Sequence, residues 1–308
     1  MDTKPTSNMK KTIISHLSFL LLAISCLTCQ VSLAQSVSDT LAVRKLMEEG
    51  ILKVQNNELR QAIQLFDQGR EMLHKIAVTI DERNQAIITS NQFTRDAERQ
   101  IQQGNLESAL EMLNKAIELN ADNVEALKFR GSIRLIQEQQ KPRARDRDYI
   151  GLINDYTNAI RIVDRKVNTS PRNSQERKEY EREKAKILIN RAYVKMQANR
   201  TAAFNSAIED YTEAIRNDDQ NWDGFLGRAV AYNKIRDNRR EVNDYLRAID
   251  LMQRYDYKMS DQDWGELYLT VAQAYVNLRD RRNAFEFATR AYNLGNHDAE
   301  RIMNRNRP

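Results

Sequence analysis

Asn154-Asp-Tyr-Thr-Asn-Ala-Ile160, Glu209-Asp-Tyr-Thr-Glu-Ala-Ile215 and Asn243-Asp-Tyr-Leu-Arg-Ala-Ile249 are three versions of one pattern, Asp-Tyr-x-x-Ala-Ile. Tyr, Ala and Ile fall at i, i+3 and i+4, which is one buried stripe on a helix. Tyr211 and Tyr245 stand 34 residues apart, and self-similarity at such a period marks a stacked array. The same shape recurs at Phe66/Gly69 and Leu113/Ala116, and in shifted form at Phe287/Ala291.

The sequence upstream of each copy supplies a second half. A small residue lies twelve positions before an alanine in Gly50/Ala62, Ala97/Ala109 and Ala272/Ala284. Ala229/Glu241 keeps the spacing but loses the second alanine, while insertions widen Gly131/Leu152 and Ala192/Ala207. Two antiparallel helices approach closely only where the facing side chains are small, and an aromatic ring one turn away fills the space beside them. Composition agrees. The 308 residues include only 9 glycines and 4 prolines, and Pro5 and Pro308 lie at the ends. An all-β chain needs many turns, and turns use Gly and Pro. The chain is read as all-α.

These residues resemble the tetratricopeptide repeat, a helix-turn-helix unit with a small residue at its eighth position, Ala at the twentieth, an aromatic at the twenty-fourth and Ala at the twenty-seventh. Six repeats fit, at 43–76, 90–123, 124–166, 185–221, 222–255 and 265–298. The resemblance implies a right-handed superhelical solenoid whose first helices line a concave face. The family's late proline is replaced by His74, Ala121, Asp164, Asp219, Gln253 and Asn296, and its first-helix tyrosine survives as Tyr232 and Tyr275. Interruptions fall at 77–89, 167–184 and 256–264. The longest begins as a turn-rich loop and ends in alternating charges that suit an exposed helix start. Residues 299–308 are expected to cap the last repeat.

Before the array lies an address. Lys4, Lys10 and Lys11 precede an apolar run from Leu17 to Leu27, and Ser32-Leu33-Ala34 follows. This is the layout of a secretory signal peptide over 1–34, cleaved between Ala34 and Gln35, and residues 35–42 would then form a flexible mature N-terminus. Both cysteines, Cys26 and Cys29, are in this segment, so cleavage at Ala34 leaves no cysteine to form a disulfide. Ala23-Ile24-Ser25-Cys26 also resembles the site at which bacterial lipoproteins are cut and acylated, which would tether the chain through Cys26. The expected location is the periplasm or cell envelope, or the outer membrane for the lipidated form.

Nothing points to catalysis or to nucleic acid. The mature chain has only His74 and His297, with no cysteine and no Gly-rich phosphate loop. A nucleophile-His pair or a His/Cys metal cluster is therefore hard to build, and no cofactor or metal is expected. The balance of 48 cations against 43 anions lacks the lopsided charge of a nucleic-acid binder. Asp155, Asp210 and Asp244 share one repeat position and read as exposed or locally hydrogen-bonded residues. Tyr156, Tyr211 and Tyr245 read as core wedges. The basic run from Lys141 to Asp148 carries Asp146 and Asp148 and reads as a solvated loop.

What the family resemblance implies about function lies in the groove. Carried onto this chain, its lining includes Lys128, Phe129, Ser132, Leu135, Asn190, Tyr193, Gln197, Leu226, Val230, Asn233 and Lys234. Phe129 and Tyr193 read either as peptide anchors or as packing between neighbouring inner helices. Some relatives grip a C-terminal carboxylate. Lys128 and Asn190 match two members of that set, but Ser132, Asp223 and Gly227 do not, and Asp223 would repel the ligand. The chain is thus read as an exported, non-catalytic scaffold for a protein or peptide segment. The alternatives are a lipid-anchored subunit of an outer-membrane secretion, assembly or uptake complex, and a carbohydrate-binding protein or enzyme using the groove as a cleft.

Overall fold

The computed structural model describes residues 34–142 and 147–307. The segment read as a signal peptide, with Cys26, lies outside the described residues as far as Leu33, as does the middle of the basic run at 143–146. Among the described residues every regular element is a helix, and the chain forms two compact units, one ending at Thr89 and one beginning at Ser90.

The first unit contains α1 (Ala34–Gln55) and the opening of α2 (Leu59–Gln102). Val43 and Met47 of α1 close a core with Ala62, Phe66, Leu73 and Ile76 of α2. Two sequence expectations change here. Residues 35–42, expected to be a flexible terminus, are the first turns of α1. No glycine or proline separates them from the buried Val43, so a helix nucleated by core packing propagates back through them. The interruption at 77–89 is likewise helical, because α2 runs unbroken for 44 residues through a segment without Gly or Pro.

The second unit is a succession of helix pairs. The end of α2 packs with α3 (Leu106–Leu119), burying Ala97, Ala109, Leu113 and Ala116 together. Then follow α4 (Val124–Gln140) with α5 (Ile150–Thr169), and α6 (Gln175–Gln197) with α7 (Thr201–Asn217). The last pairs are α8 (Trp222–Lys234) with α9 (Asn238–Arg254), and α10 (Asp261–Asn277) with α11 (Arg281–Asn293). From α3 to α12 each helix packs on the next, and α6 also touches α8. The charged run at 175–184 extends α6. There Lys184 bridges Asp164 at 2.7 Å and Glu213 at 2.6 Å, tying three helices together.

Local chemistry sets the boundaries. Asn123, Ser174, Asn221, Asp237, Ser260 and Asp280 each accept a hydrogen bond from a first-turn backbone N–H, satisfying a donor the helix itself cannot. The turns inside the pairs use left-handed residues at one repeat position: Asn57, Gly104, Asn199, Arg236 and Arg279. After a 3₁₀ turn at His297–Ala299, the short helix α12 (Glu300–Asn306) lays Ile302 and Met303 against the final core.

Candidate functional site

The face presented by the first helices α4, α6 and α8 rests on a repeated ionic fitting. Arg130, Arg191 and Arg228 hold the same seventh position in successive repeats. Each aims a guanidinium at the aspartate of the Asp-Tyr pair in its own repeat. Arg130 reaches Asp155 through Nε at 3.0 Å and Nη2 at 2.6 Å. Arg191 reaches Asp210 at 2.9 and 2.7 Å, and Arg228 reaches Asp244 at 2.8 and 2.9 Å. The remaining Nη1 of each donates backward to the preceding repeat, to Asn114 at 3.0 Å, Thr157 at 3.1 Å and Thr212 at 3.1 Å respectively. One planar cation therefore staples both helices of its own repeat to the second helix of the repeat before. The fork geometry of arginine allows this where lysine's point charge would not.

This corrects the reading of the three aspartates. Asp155, Asp210 and Asp244 are buried, and their partners lie on the opposing helix, 16 to 25 residues away. A carboxylate in that position is held by charge-assisted bonds, which offset its loss of water. Arg134 at 2.9 Å and Lys195 at 2.6 Å add second cations to Asp155 and Asp210. The sequence carries a signal for the arginines, each standing directly before the small residue of its first helix: Arg-Gly at 130–131, Arg-Ala at 191–192 and Arg-Ala at 228–229.

The tyrosines are wedges, as expected, with Tyr156, Tyr211 and Tyr245 all buried. Tyr156 lies against Gly131, where a Cβ would come within 2.9 Å of the ring. Tyr211 crosses to the next repeat and covers Gly227, where a Cβ would meet the ring at 2.4 Å. Burial, then Tyr193, Asp210 and Asp223, push the Tyr211 hydroxyl far above the ordinary tyrosine value. Partial burial also raises the Asp223 carboxyl.

The structure sorts the expected groove residues into three kinds. Phe129, Leu135 and Leu226 are half-buried against neighbouring cores, so Phe129 is mainly a packing residue. Lys128, Ser132 and Asn233 spend their polar atoms within the chain. Lys128 Nζ pairs with Glu125 at 2.5 Å and reaches Glu183 of α6 at 3.8 Å. Ser132 Oγ lies 3.1 Å from the Tyr156 hydroxyl, and Asn233 Nδ2 donates to Glu241 at 2.9 Å. Gln197 makes a long contact, 3.5 Å, to the Tyr193 carbonyl. Asn190, Tyr193, Val230 and Lys234 face solvent.

Tyr193 is 48% exposed and Val230 40%. Both hold the ninth repeat position, on α6 and α8, which touch. Asn190 stands one turn before Tyr193 on α6, and Lys234 one turn after Val230 on α8. Lys128, one of the two residues that match the carboxylate-gripping set, already faces two carboxylates of the chain itself. Among the described residues no group of three or more His, Cys, Asp and Glu side chains could hold a metal ion, and no helix is long and apolar enough to cross a membrane.

A tetratricopeptide-repeat family model matches residues 100–123, the turn and second helix of the second pair. Comparison with curated proteins finds no match. Among solved structures, the assembly chaperone of RpL4, Acl4, superposes with a TM-score of 0.51 at 10% identity, over 86% of this chain and 95% of that one. MamA gives 0.46 at 15% identity, over 69% and 94% of the two chains. YrrB, described as a TPR protein with an unusual peptide-binding site, gives 0.47 at 12% identity, over 67% and 87%. The chain resembles the tetratricopeptide-repeat family in sequence at that match and in fold as an all-α solenoid.

Proposed function

We propose that this chain is a protein-interaction scaffold that binds an extended segment across the first helices α4, α6 and α8. The observation that carries the proposal is the stripe of Tyr193 and Val230, exposed at one repeat position on adjacent helices. Exposed aromatic and aliphatic side chains beside a primary amide suit a segment that offers one apolar side chain and its own backbone groups. The arginine staples fix the spacing of the helices below. The surface is therefore pre-organised, and a ligand loses little free energy ordering it.

The setting we propose is the bacterial cell envelope, on the strength of the Lys-rich start, the apolar run and Ser32-Leu33-Ala34. Cys26 after Ala23-Ile24-Ser25 supports a second form, anchored by a lipid as an accessory subunit of an outer-membrane complex. Palmitate incorporation that disappears in Cys26→Ser distinguishes that form from a soluble one.

The test places a photo-cross-linking residue at Tyr193, at Val230 and, on the outer helix α9, at Asp250. The expected result is one partner captured from both inner positions and not from Asp250. Tyr193→Ala is then expected to weaken capture about tenfold, the loss of one interface anchor worth ~1–2 kcal/mol. Capture from Asp250 alone would overturn the assignment of the binding face.

A further inference from the structure

On α8, Asp223, Gly227 and Val230 stand at i, i+4 and i+7, one above another on a single helix face. Gly227 is the unexpected member. A glycine inside a helix is costly against alanine, and the same repeat position holds Phe129, Asn190 and Thr270 elsewhere. Here a Cβ would come within 2.4 Å of the Tyr211 ring and 2.8 Å of its hydroxyl oxygen. The missing side chain leaves room on this face for the hydroxyl end of the tyrosine.

That hydroxyl is unanswered. Tyr156, the matching wedge of the preceding repeat, has its hydroxyl 3.1 Å from Ser132 Oγ. In the next repeat Tyr193 holds the position of Ser132, and the Tyr211 hydroxyl makes no hydrogen bond among the described residues. Tyr211 is only 3% exposed. Its oxygen is nevertheless not among the sealed, unpartnered side-chain atoms, which are Arg147 Nε, Tyr149 Oη and Glu241 Oε2. The little of Tyr211 that remains open therefore includes its hydroxyl.

Asp223 lies one turn before Gly227, about 5–6 Å away between β-carbon positions, so its carboxylate reaches the same opening. The side chain is open to solvent, and among the described residues it makes no hydrogen bond or ion pair. A place in the first turn of a helix would by itself hold a carboxyl low. Burial instead raises this one, and no cation of the chain offsets the rise. Lys186, at the same repeat position on α6, does not pair with it. A carboxylate only accepts, and a hydroxyl oxygen accepts as well. A neutral amide would leave the carboxylate charge unanswered, and an anionic group would be repelled. Val230, one turn beyond the opening, offers apolar surface to the aliphatic stem of a long cationic side chain.

We infer that the segment bound across α6 and α8 carries a lysine or arginine whose head group enters the opening at Gly227, donating to the Asp223 carboxylate and the Tyr211 hydroxyl oxygen. This rests on the scaffold reading above and gives its partner a charge, opposite in sign to the carboxylate that some relatives grip.

The test selects random short peptides on a display library against the full chain. Enriched sequences are resynthesised with acetylated N-termini, which removes the terminal amine as a rival cation, and titrated by fluorescence anisotropy. Groove-bound peptides are those that Tyr193→Ala weakens, and they are expected to contain Lys or Arg. Changing that residue to Gln in the peptide, or Asp223→Asn in the protein, is expected to weaken binding about tenfold. The two changes together are expected to cost no more than either alone, the mark of a direct pair. Tyr211→Phe, which keeps the wedge, is expected to cost about fivefold, and Asp250→Asn on the outer helix nothing. Groove-bound peptides without a cation, additive losses from the two changes, or an equal loss in Asp250→Asn would overturn the inference and leave the scaffold standing. If no enriched peptide depends on Tyr193, the scaffold reading itself fails, and this inference with it.

Discussion

Asp244→Ala tests the arginine staple most directly, because its partner Arg228 has no second carboxylate to turn to among the contacts it makes. The guanidinium spends Nε and Nη2 on Asp244 and Nη1 on Thr212, and the two side chains are only 16% and 10% exposed. Burial opposes the Arg228 charge, while the hydrogen bonds to Asp244 and its charge hold the guanidinium protonated. Deleting the carboxylate leaves a nearly buried cation uncompensated, at a cost of about 3–5 kcal/mol. Asp250→Ala, on the same helix, is the control. It breaks pairs with Arg247 and Arg254 whose side chains are 36% to 52% exposed, a loss of ~0–1 kcal/mol. In a chain of this size a 3 kcal/mol loss lowers the thermal midpoint by about 6–12 °C. Because repeat stability is a sum of local terms, hydrogen exchange should rise first in α8, α9 and the adjoining face of α7. The double change Arg228→Met with Asp244→Leu is expected to recover most of the loss, since an apolar pair of similar volume can replace a buried ion pair. If Asp244→Ala and Asp250→Ala cost the same within about 0.5 kcal/mol, the usual range of a neutral surface change, the staple contributes no net stability and the argument fails.

Three further outcomes follow from named contacts. Glu241 is 1% exposed, stands where four of the other five repeats have alanine, and leaves Oε2 without a partner; burial raises its carboxyl above the ordinary value while Asn233 works against the rise. The folded chain therefore keeps a proton that the unfolded chain releases. Stability is full below the ordinary carboxyl range, falls as pH rises through the raised value, and stays lower at neutrality. Glu241→Gln should abolish this slope in urea midpoints measured from acid to neutral pH, and should be more stable at neutrality by about 1–2 kcal/mol. Gly227→Ala should destabilise by ~1–2 kcal/mol in denaturant titration, because crowding the Tyr211 ring at 2.4 Å outweighs alanine's helix preference. Arg236→Gly should raise the thermal midpoint, relieving about 1 kcal/mol of left-handed strain at φ 61°; an unchanged or lower midpoint would show the turn is not strained there.

The fold was legible because the repeat multiplies a small signal. One Asp-Tyr-x-x-Ala-Ile is an amphipathic turn and nothing more, but copies in step impose the helix-pair period. Helical boundaries were less legible at 35–42 and 77–89. Those segments lack the apolar stripe yet also lack glycine and proline, and a helix begun by core packing continues until something stops it. The candidate face was half legible. Its positions came from the family's periodicity, but periodicity does not tell a presented side chain from a packed one, and Phe129 and Tyr193 looked alike until their neighbours were known.

What the sequence determined by itself was the all-α repeat, its period and the rows in which the small residues and aromatics stand, because these depend on residues near one another along a helix. The tertiary structure decided which row meets which. It showed that the aspartates are buried against arginines sixteen or more residues away and that Tyr211 wedges onto Gly227 of the following repeat. Those facts rest on how far the chain turns between one helix and the next, and that angle is set by the packing of many side chains at once.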